Sequence, residues 1–352
     1  MSDRATLSTV AARAGVSQST ASLAFAGSPR VAPATVERVL RAADELGYAG
    51  PNPVAASLRT GRSGVVGAVV GERLLYAFRD PVAVQLLDGL TEELGTLGVG
   101  LLLLAGDSMR SGPTPAQLGR LPLDAAVFAT CGLEDDAAFR LLQARQVPLV
   151  AVEGPVVPGV PLVGIEDRDG TAGLARHLAE LGHRHVAMVA MPLRLDGRRG
   201  PVDDARLAAG VYRGTRERLL GLRSVFPDAT VVETAANSIE EGEQAGLDLL
   251  DRSPRPTAVV AQSDLLAAGV LRAAGTLGLA VPGDVSVAGF DGADLPWLVP
   301  VRLTTVVQPT TEKGQAAGRA VAALLSGQVP DDVVLPVRLR LGTTTGPAQS
   351  TT

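Results

Sequence analysis

Between residues 64 and 341, short apolar runs alternate with amphipathic stretches whose apolar residues recur at i, i+3 and i+4, and this alternation limits the possible folds more than any other feature. The runs at 65–70, 99–105, 125–129, 148–152, 186–190, 231–234, 258–261 and 285–290 read as strands. Between them, 81–97, 169–181, 239–250 and 264–277 read as helices. Parallel sheets covered by helices follow, and eight strands suit two adjacent α/β lobes with a ligand in the cleft at the strands' carboxyl ends.

With 352 residues, 46% of them apolar, the chain can bury two or three cores. No apolar run reaches the roughly 18 residues a membrane span needs, and the first residues lack a basic start followed by an apolar stretch, so a cytoplasmic location without membrane contact is expected. Cys131 is the only cysteine, which excludes an intrachain disulfide and a cysteine-rich zinc site. The net charge of −5 is unevenly spread: residues 1–63 hold seven arginines against four acids, net +3, leaving −8 for the rest. A basic head on an acidic body fits phosphate contact through the head alone.

That head shows helical spacing in three short segments. Leu7, Val10, Ala11 and Ala14 form one face, ended by Gly15; Ser17 caps a second helix that turns Ala21, Ala24 and Phe25 inward. A third starts near Pro33, with Val36, Val39, Leu40, Ala43 and Leu46 as its buried stripe and Gly47 as its stop. The tight turn Gly15-Val16-Ser17 makes the first two a helix-turn-helix, whose second helix would enter a major groove with Gln18, Ser19 and Leu23 facing DNA. Gln pairs with adenine, Ser meets several base edges, and Leu offers apolar contact to a thymine methyl. A plain three-helix bundle satisfies the same spacing. After Tyr48, Asn52 as N-cap, Pro53 and 54–58 could form a short helix that orders only on DNA, with Leu58 as a minor-groove wedge; an ordinary linker is the alternative.

The ordered set TLSTVAARAGVS, VERVLRAADELGY and PNPVAASL resembles the head of the lactose-repressor (LacI) family of bacterial regulators. The stretches GIEDRDGTAGLARHLAELGHRHVAMV, RERLLGLR, PTAVVAQSDLLAAGVLRAAGTLGLAVPGDVSVAGFD and LTTVVQP resemble that family's regulatory core, which is similar to periplasmic sugar-binding proteins. The resemblance implies an all-α helix-turn-helix headpiece (1–50), a hinge (51–63), a two-lobed α/β core (64–341) and a flexible tail (342–352). It implies lobes that are not contiguous, with crossovers near 164, 292 and 328. Base reading falls to Gln18, Ser19 and Leu23, operator intercalation to Leu58, and further DNA contacts to Thr6, Ser17, Ser22, Asn52 and Ala55. Leu23 stands where a bulky polar or basic residue is usual, and Ala32 where a hydroxyl cap is usual.

In the core, the resemblance assigns Arg218 and Asp291 as ligand contacts, and an Arg fork with a carboxylate suits ring hydroxyls. Ser263, beside Asp264, stands where a polar contact is usual, and Glu153 ends the 148–152 strand near a family acid. Arg79 and Asp80, with Arg73 and Phe78, belong to a strand-to-helix loop that would line the cleft. Trp297 could be an aromatic platform at the cleft mouth or core packing. Each of these polar residues could also be an ordinary cap or loop charge.

The expected function is a dimeric, ligand-responsive transcriptional regulator: a repressor of carbohydrate genes on a palindromic double-stranded operator, switched by a sugar. A periplasmic-type binding protein without DNA function, a regulator with a degenerate pocket, and a nucleotide-binding α/β enzyme are the alternatives. The enzyme finds little support, because Gly64, Gly67 and Gly71 lack GxGxxG spacing and the only lysine, Lys313, follows Glu312 rather than a P-loop glycine. His177, His183 and His185 form no HExxH pattern, so neither metal nor cofactor is expected.

Overall fold

A computed structural model describes residues 5–51, 57, 61–70, 74–105, 113–129 and 137–349. The chain forms two compact units, Met1–Gly64 and Val65–Thr352.

The first unit holds α1 (Leu7–Ala14), α2 (Gln18–Phe25) and α3 (Pro33–Glu45). Thr6 caps α1 in a reciprocal box: its hydroxyl accepts from the Thr9 N–H at 3.2 Å, and the Thr9 hydroxyl accepts from the Thr6 N–H at 2.8 Å. Gly15 closes the helix at φ 63°, and Ser17 opens α2 by accepting from the Thr20 N–H at 3.1 Å. Small side chains, among them Val10, Ala14, Ala21, Ala24, Val39 and Ala43, let the three helices approach closely, and Phe25 meets Tyr48 edge to face at 5.7 Å. α3 departs from the expected stripe. Ala42 is buried, whereas Leu40 and Leu46 are 43% and 38% exposed, because Leu40 is turned about 100° from the Val39–Ala43 face and Leu46 lies past the last turn. Ala32 provides no side-chain cap to α3, and Pro33 sets its first turn. Asn52, Ala55 and Leu58 lie outside the described residues.

In chain order the second unit runs β1 (Val65–Val70), α4 (Leu74–Ala77), α5 (Pro81–Thr96), β2 (Gly100–Ala105), α6 (Pro115–Leu118), β3 (Ala125–Phe128), α7 (Ala137–Ala144), β4 (Leu149–Val152), β5 (Leu162–Ile165), α8 (Asp167–Glu180) and β6 (Val186–Ala190). It continues with β7 (Gly200–Pro201), α9 (Asp204–Ala208), α10 (Arg213–Arg223), β8 (Thr230–Glu233), α11 (Ile239–Leu250), β9 (Ala258–Ala261), α12 (Asp264–Thr276), β10 (Ser286–Asp291), β11 (Thr304–Val307), α13 (Thr310–Leu325), β12 (Val333–Leu335) and β13 (Arg338–Arg340).

These strands build two sheets, ordered β12-β5-β4-β3-β1-β2 and β13-β11-β10-β9-β6-β8-β7. Pairing is parallel throughout the first, and in the second only β7 and β13 are antiparallel to their neighbours. Helices cover both faces, so strands such as β6 and β9 are buried at every position.

The chain leaves the first sheet after β5 and returns twice more to a lobe boundary. Crossovers expected near 292 and 328 fall instead between Val307 and Thr310 and between Leu335 and Arg338. β11 stays in the second sheet through pairs such as Asp291 with Val307, while β12 pairs Val333 with Val163 in the first. The second crossover is anchored by α13 packing on α5. A Cβ on Gly314 would stand 2.1 Å from the Leu86 carbonyl oxygen, so only glycine allows this approach. The expected flexible tail is also corrected for residues 342–349, which dock on the second lobe. Thr344 is buried, its carbonyl accepts from the Val287 N–H at 2.8 Å, and its hydroxyl accepts from the Thr304 N–H at 3.0 Å. The tail thereby satisfies donors at the ends of β10 and β11 that would otherwise lack protein partners.

Candidate functional site

On the head, Gln18, Ser19 and Leu23 are exposed along α2, with Ser22 half-buried between them. The i, i+4 pairs Gln18/Ser22 and Ser19/Leu23 give that helix a continuous outer face. Ser17 and Ser19 hydroxyls lie 2.8 Å apart, so the start of the helix is internally braced. Thr6 is exposed at the start of α1. The head therefore offers the surface that major-groove reading needs.

In the second unit, a cavity of about 170 Å³ opens where the carboxyl ends of both sheets face each other. That is close to the roughly 150 Å³ space that accommodates one six-membered ring. Val82, Ala83, Leu86, Val152, Met191 and Leu195 give it apolar walls; Asp80, Glu153, Arg218, Asn237, Asp291 and Lys313 supply the charge and hydrogen-bonding groups.

The polar groups form one connected network. Arg218, buried on α10, donates from Nε to Asp167 Oδ1 at 2.8 Å and from Nη1 to the Gln262 carbonyl at 2.6 Å. Its Nη1 also lies 3.5 Å from Asp291 Oδ1, and its guanidinium stacks 3.7 Å above the Phe290 ring. Gln308 Nε2 donates to Asp291 at 2.7 Å, while its Oε1 accepts from Lys313 Nζ at 2.6 Å. Lys313 also pairs with Glu153. Because Glu153 and Lys313 belong to the first lobe and Asp291 to the second, this relay bridges the cleft. Asp80 adds a second bridge, accepting from Asn237 Nδ2 at 3.2 Å while capping α5 through the Val82 N–H at 2.9 Å.

Two cavity acids sit on strained backbone. Glu153 and Asp291, at the ends of β4 and β10, have φ of 61° and 121°, a cost of about 1–3 kcal/mol each that concentrates at functional positions. Electrostatics adds to this. Burial raises the carboxyl pKa of Asp80, Asp167 and Asp291, most strongly at Asp291, although Arg218 opposes the shift at the last two. Burial likewise works against the charge of Arg218, but Asp167, then Asp291 and Glu153, outweigh it and hold the guanidinium firmly ionised.

One cavity wall is a clamped flap, residues 191–212, which contributes Met191, Pro192, Leu195 and Tyr212. Arg206 holds it with two forks: to Glu233 at 2.7 and 2.8 Å and to Asp196 at 2.6 and 2.8 Å. Glu233 also accepts from the Leu193 N–H at 2.6 Å.

Of the residues expected at the ligand, Asp80, Glu153, Arg218 and Asp291 line the cavity together. The others do not line it. Arg79 is exposed beside Asp80. Ser263 caps α12 and donates to Asn237, one step behind the wall. Asp264 accepts from the Thr305 hydroxyl at 2.6 Å and the Ala293 N–H at 2.7 Å, so it ties α12 to neighbouring strand ends; burial raises its pKa to about 7. Trp297 is 54% exposed on the turn Pro296–Leu298, so it is not core packing, and it does not line the cavity. Asn237, Gln308, Lys313, Asp167 and the flap join the site without having been expected there from the sequence. Lys313 carried the clearest signal, as the one lysine among 32 basic residues. Among the described residues, no group of histidines, cysteines and acids is arranged to hold a metal, and no helix is long and apolar enough to cross a membrane.

Known proteins match both units. Residues 6–52 match the family of bacterial regulatory proteins of the lacI type, and residues 175–345 match the periplasmic binding protein-like domain. The HTH-type transcriptional regulator Rv3575c of Mycobacterium tuberculosis is 38% identical over 98% of this chain and 98% of its own length. A lac repressor dimer bound to operator and the anti-inducer ONPF superposes with a TM-score of 0.80 at 26% identity, covering 98% of this chain and all of the other. The transcriptional regulator CelR in complex with cellobiose gives a TM-score of 0.69 at 29% identity over 97% of this chain and all of its own.

Proposed function

The chain belongs to the LacI family of bacterial regulatory proteins and is a transcriptional regulator rather than an enzyme, and on that premise we propose that it is a cytoplasmic repressor of carbohydrate genes switched by a small sugar. It acts as a homodimer that places one α2 in each half-site of a palindromic operator, with Gln18, Ser19 and Leu23 at base edges and Thr6, Ser17 and Ser22 beside them. The segment carrying Asn52, Ala55 and Leu58 orders between the half-sites, and Leu58 wedges the central step.

The effector lies in the cavity, where Asp80, Glu153 and Asp291 accept ring hydroxyls and Arg218 is held ready as a donor. The observation that carries this reading is the Glu153–Lys313–Gln308–Asp291 relay, whose ends belong to different lobes and converge on one ring-sized space. A ligand that inserts there changes how the lobes meet, and it regulates DNA binding to the extent that its affinity differs between the two lobe arrangements.

The test separates the units. Gln18→Ala should weaken operator binding roughly tenfold or more, by about the 1–3 kcal/mol of a lost bidentate base contact, and leave sugar binding intact. Asp291→Asn should do the reverse, measured by fluorescence anisotropy on operator DNA with and without sugar. An Asp291→Asn protein that still responds fully would place the effector elsewhere.

A further inference from the structure

We propose that the cleft selects its effector by charge: it accepts a polyhydroxylated ring that is uncharged or bears an amino group, and rejects the phosphorylated or carboxylated form of the same ring. This rests on the sugar-effector reading above and names the class of ligand that site takes. Among the described residues, four carboxylates, Asp80, Glu153, Asp167 and Asp291, line the cavity or stand directly behind it, against two cations, Arg218 and Lys313. Both cations are balanced inside the protein before a ligand arrives. Arg218 lies between Asp167 and Asp291, with its face on Phe290, and Lys313 lies between Glu153 and Gln308. Recruiting either for a phosphate would strand a buried carboxylate. Asp80 forms no ion pair with a described residue: its oxygens accept from the backbone at Val82 and Ala83 and from Asn237, and Lys313 acts on it only through space while paired with Glu153.

The other usual source of positive potential, a helix N-terminus, is also taken. Asp80 caps α5, Ser238 caps α11 and Ser263 caps α12. α10 has no side-chain cap, yet a Cβ on its Gly214 would lie 3.6 Å from Glu153 Oε2 and 3.7 Å from Asp167 Oδ2, so two carboxylates already face that end. An added anion about 5 Å from an unbalanced carboxylate loses on the order of a hundredfold in affinity at an effective dielectric near 20. Hydroxyls, by contrast, donate to the carboxylates without adding charge, and an ammonium group relieves the shortage.

Equilibrium dialysis of the full-length protein against hexoses, pentoses and cyclic polyols, each with its amino, phosphate and carboxylate counterpart, tests the proposal by mass spectrometry of what is retained. Retention of neutral or amino rings, with the anionic counterpart at least about a hundredfold weaker, is expected. A phosphate or carboxylate form bound as tightly as its neutral parent would overturn charge selection and leave the cleft a sugar site. Retention of nothing in any class would overturn the sugar-effector reading itself, and this inference with it. Asp80→Asn keeps a good cap for α5 and removes the unbalanced charge. It should narrow the neutral-to-phosphate ratio about tenfold or more, and an unchanged ratio would contradict the assignment.

Discussion

Replacing Arg206 with Met tests whether the flap is held as the geometry indicates. Glu233 is 1% exposed, and without the guanidinium it keeps the Leu193 N–H as its one remaining described hydrogen-bond donor. Removing one partner of a buried ion pair costs about 3–5 kcal/mol, because the other charge is left uncompensated. The second fork adds little, since the Asp196 side chain is 42% exposed and solvent screens it. Arg206→Met should therefore lower unfolding free energy by about 3–5 kcal/mol. The double variant Arg206→Met/Glu233→Gln should recover at least about 2 kcal/mol of that, because the stranded charge is gone. Trp297 is the only tryptophan and lies in the second lobe, so its fluorescence during urea unfolding of the full-length protein reports the relevant transition. In the folded single variant, sugar affinity should fall while operator affinity without sugar holds, since Leu195 and Tyr212 lose their fixed position. A loss below about 1 kcal/mol, or no recovery in the double variant, would refute the clamp.

Gly314→Ala should cost at least about 2 kcal/mol in thermal or urea unfolding followed by circular dichroism, because α5 and α13 must separate to admit the methyl group; a neutral result would contradict the close approach. Truncation after Leu341 should cost at least about 2 kcal/mol, from the buried donors at Val287 and Thr304 that lose the tail at roughly 1 kcal/mol or more each, and an unchanged midpoint would restore the flexible tail. Asp264, raised to about 7 by burial from an ordinary 3.8, binds a proton in the folded chain that the unfolded chain lacks between those values. Its contribution to stability is thus present at the acid end of that window and is lost as pH rises through about 7. Asp264→Asn should flatten that slope in urea midpoints measured from pH 4.5 to 8, and an identical slope would sink the assignment.

The alternation of apolar runs and amphipathic helices was legible because buried parallel strands need little besides short β-branched and apolar stretches. β1, β6 and β9 have the bounds expected of them. β5, β11, β12 and β13 were missed, since these short runs carry little periodicity, are interrupted or flanked by residues such as Gly164, Thr304, Thr305, Arg338 and Arg340, and depend on which neighbour they find. The crossovers slipped for the same reason, because β11 and β12 decide them. In the site, Arg218 and Asp291 could be read from their motifs. Gln308 and Lys313 could not, because their importance comes from α13 crossing back to the first lobe, a matter of tertiary arrangement. Ser263 and Asp264 fell the other way: polar residues at a strand-to-helix turn look alike in sequence whether they cap a helix and line the cavity, as Asp80 does, or sit behind its wall.

The most direct test of the regulator reading is selection of genomic fragments by the purified full-length protein at near-physiological salt, with and without the sugars its cleft retains, followed by sequencing. A palindromic motif whose recovery changes when the sugar is present is the predicted result. Fragments recovered without any shared motif, or a motif whose recovery no cleft-bound sugar alters, would contradict the account of a DNA-reading head governed by this cavity.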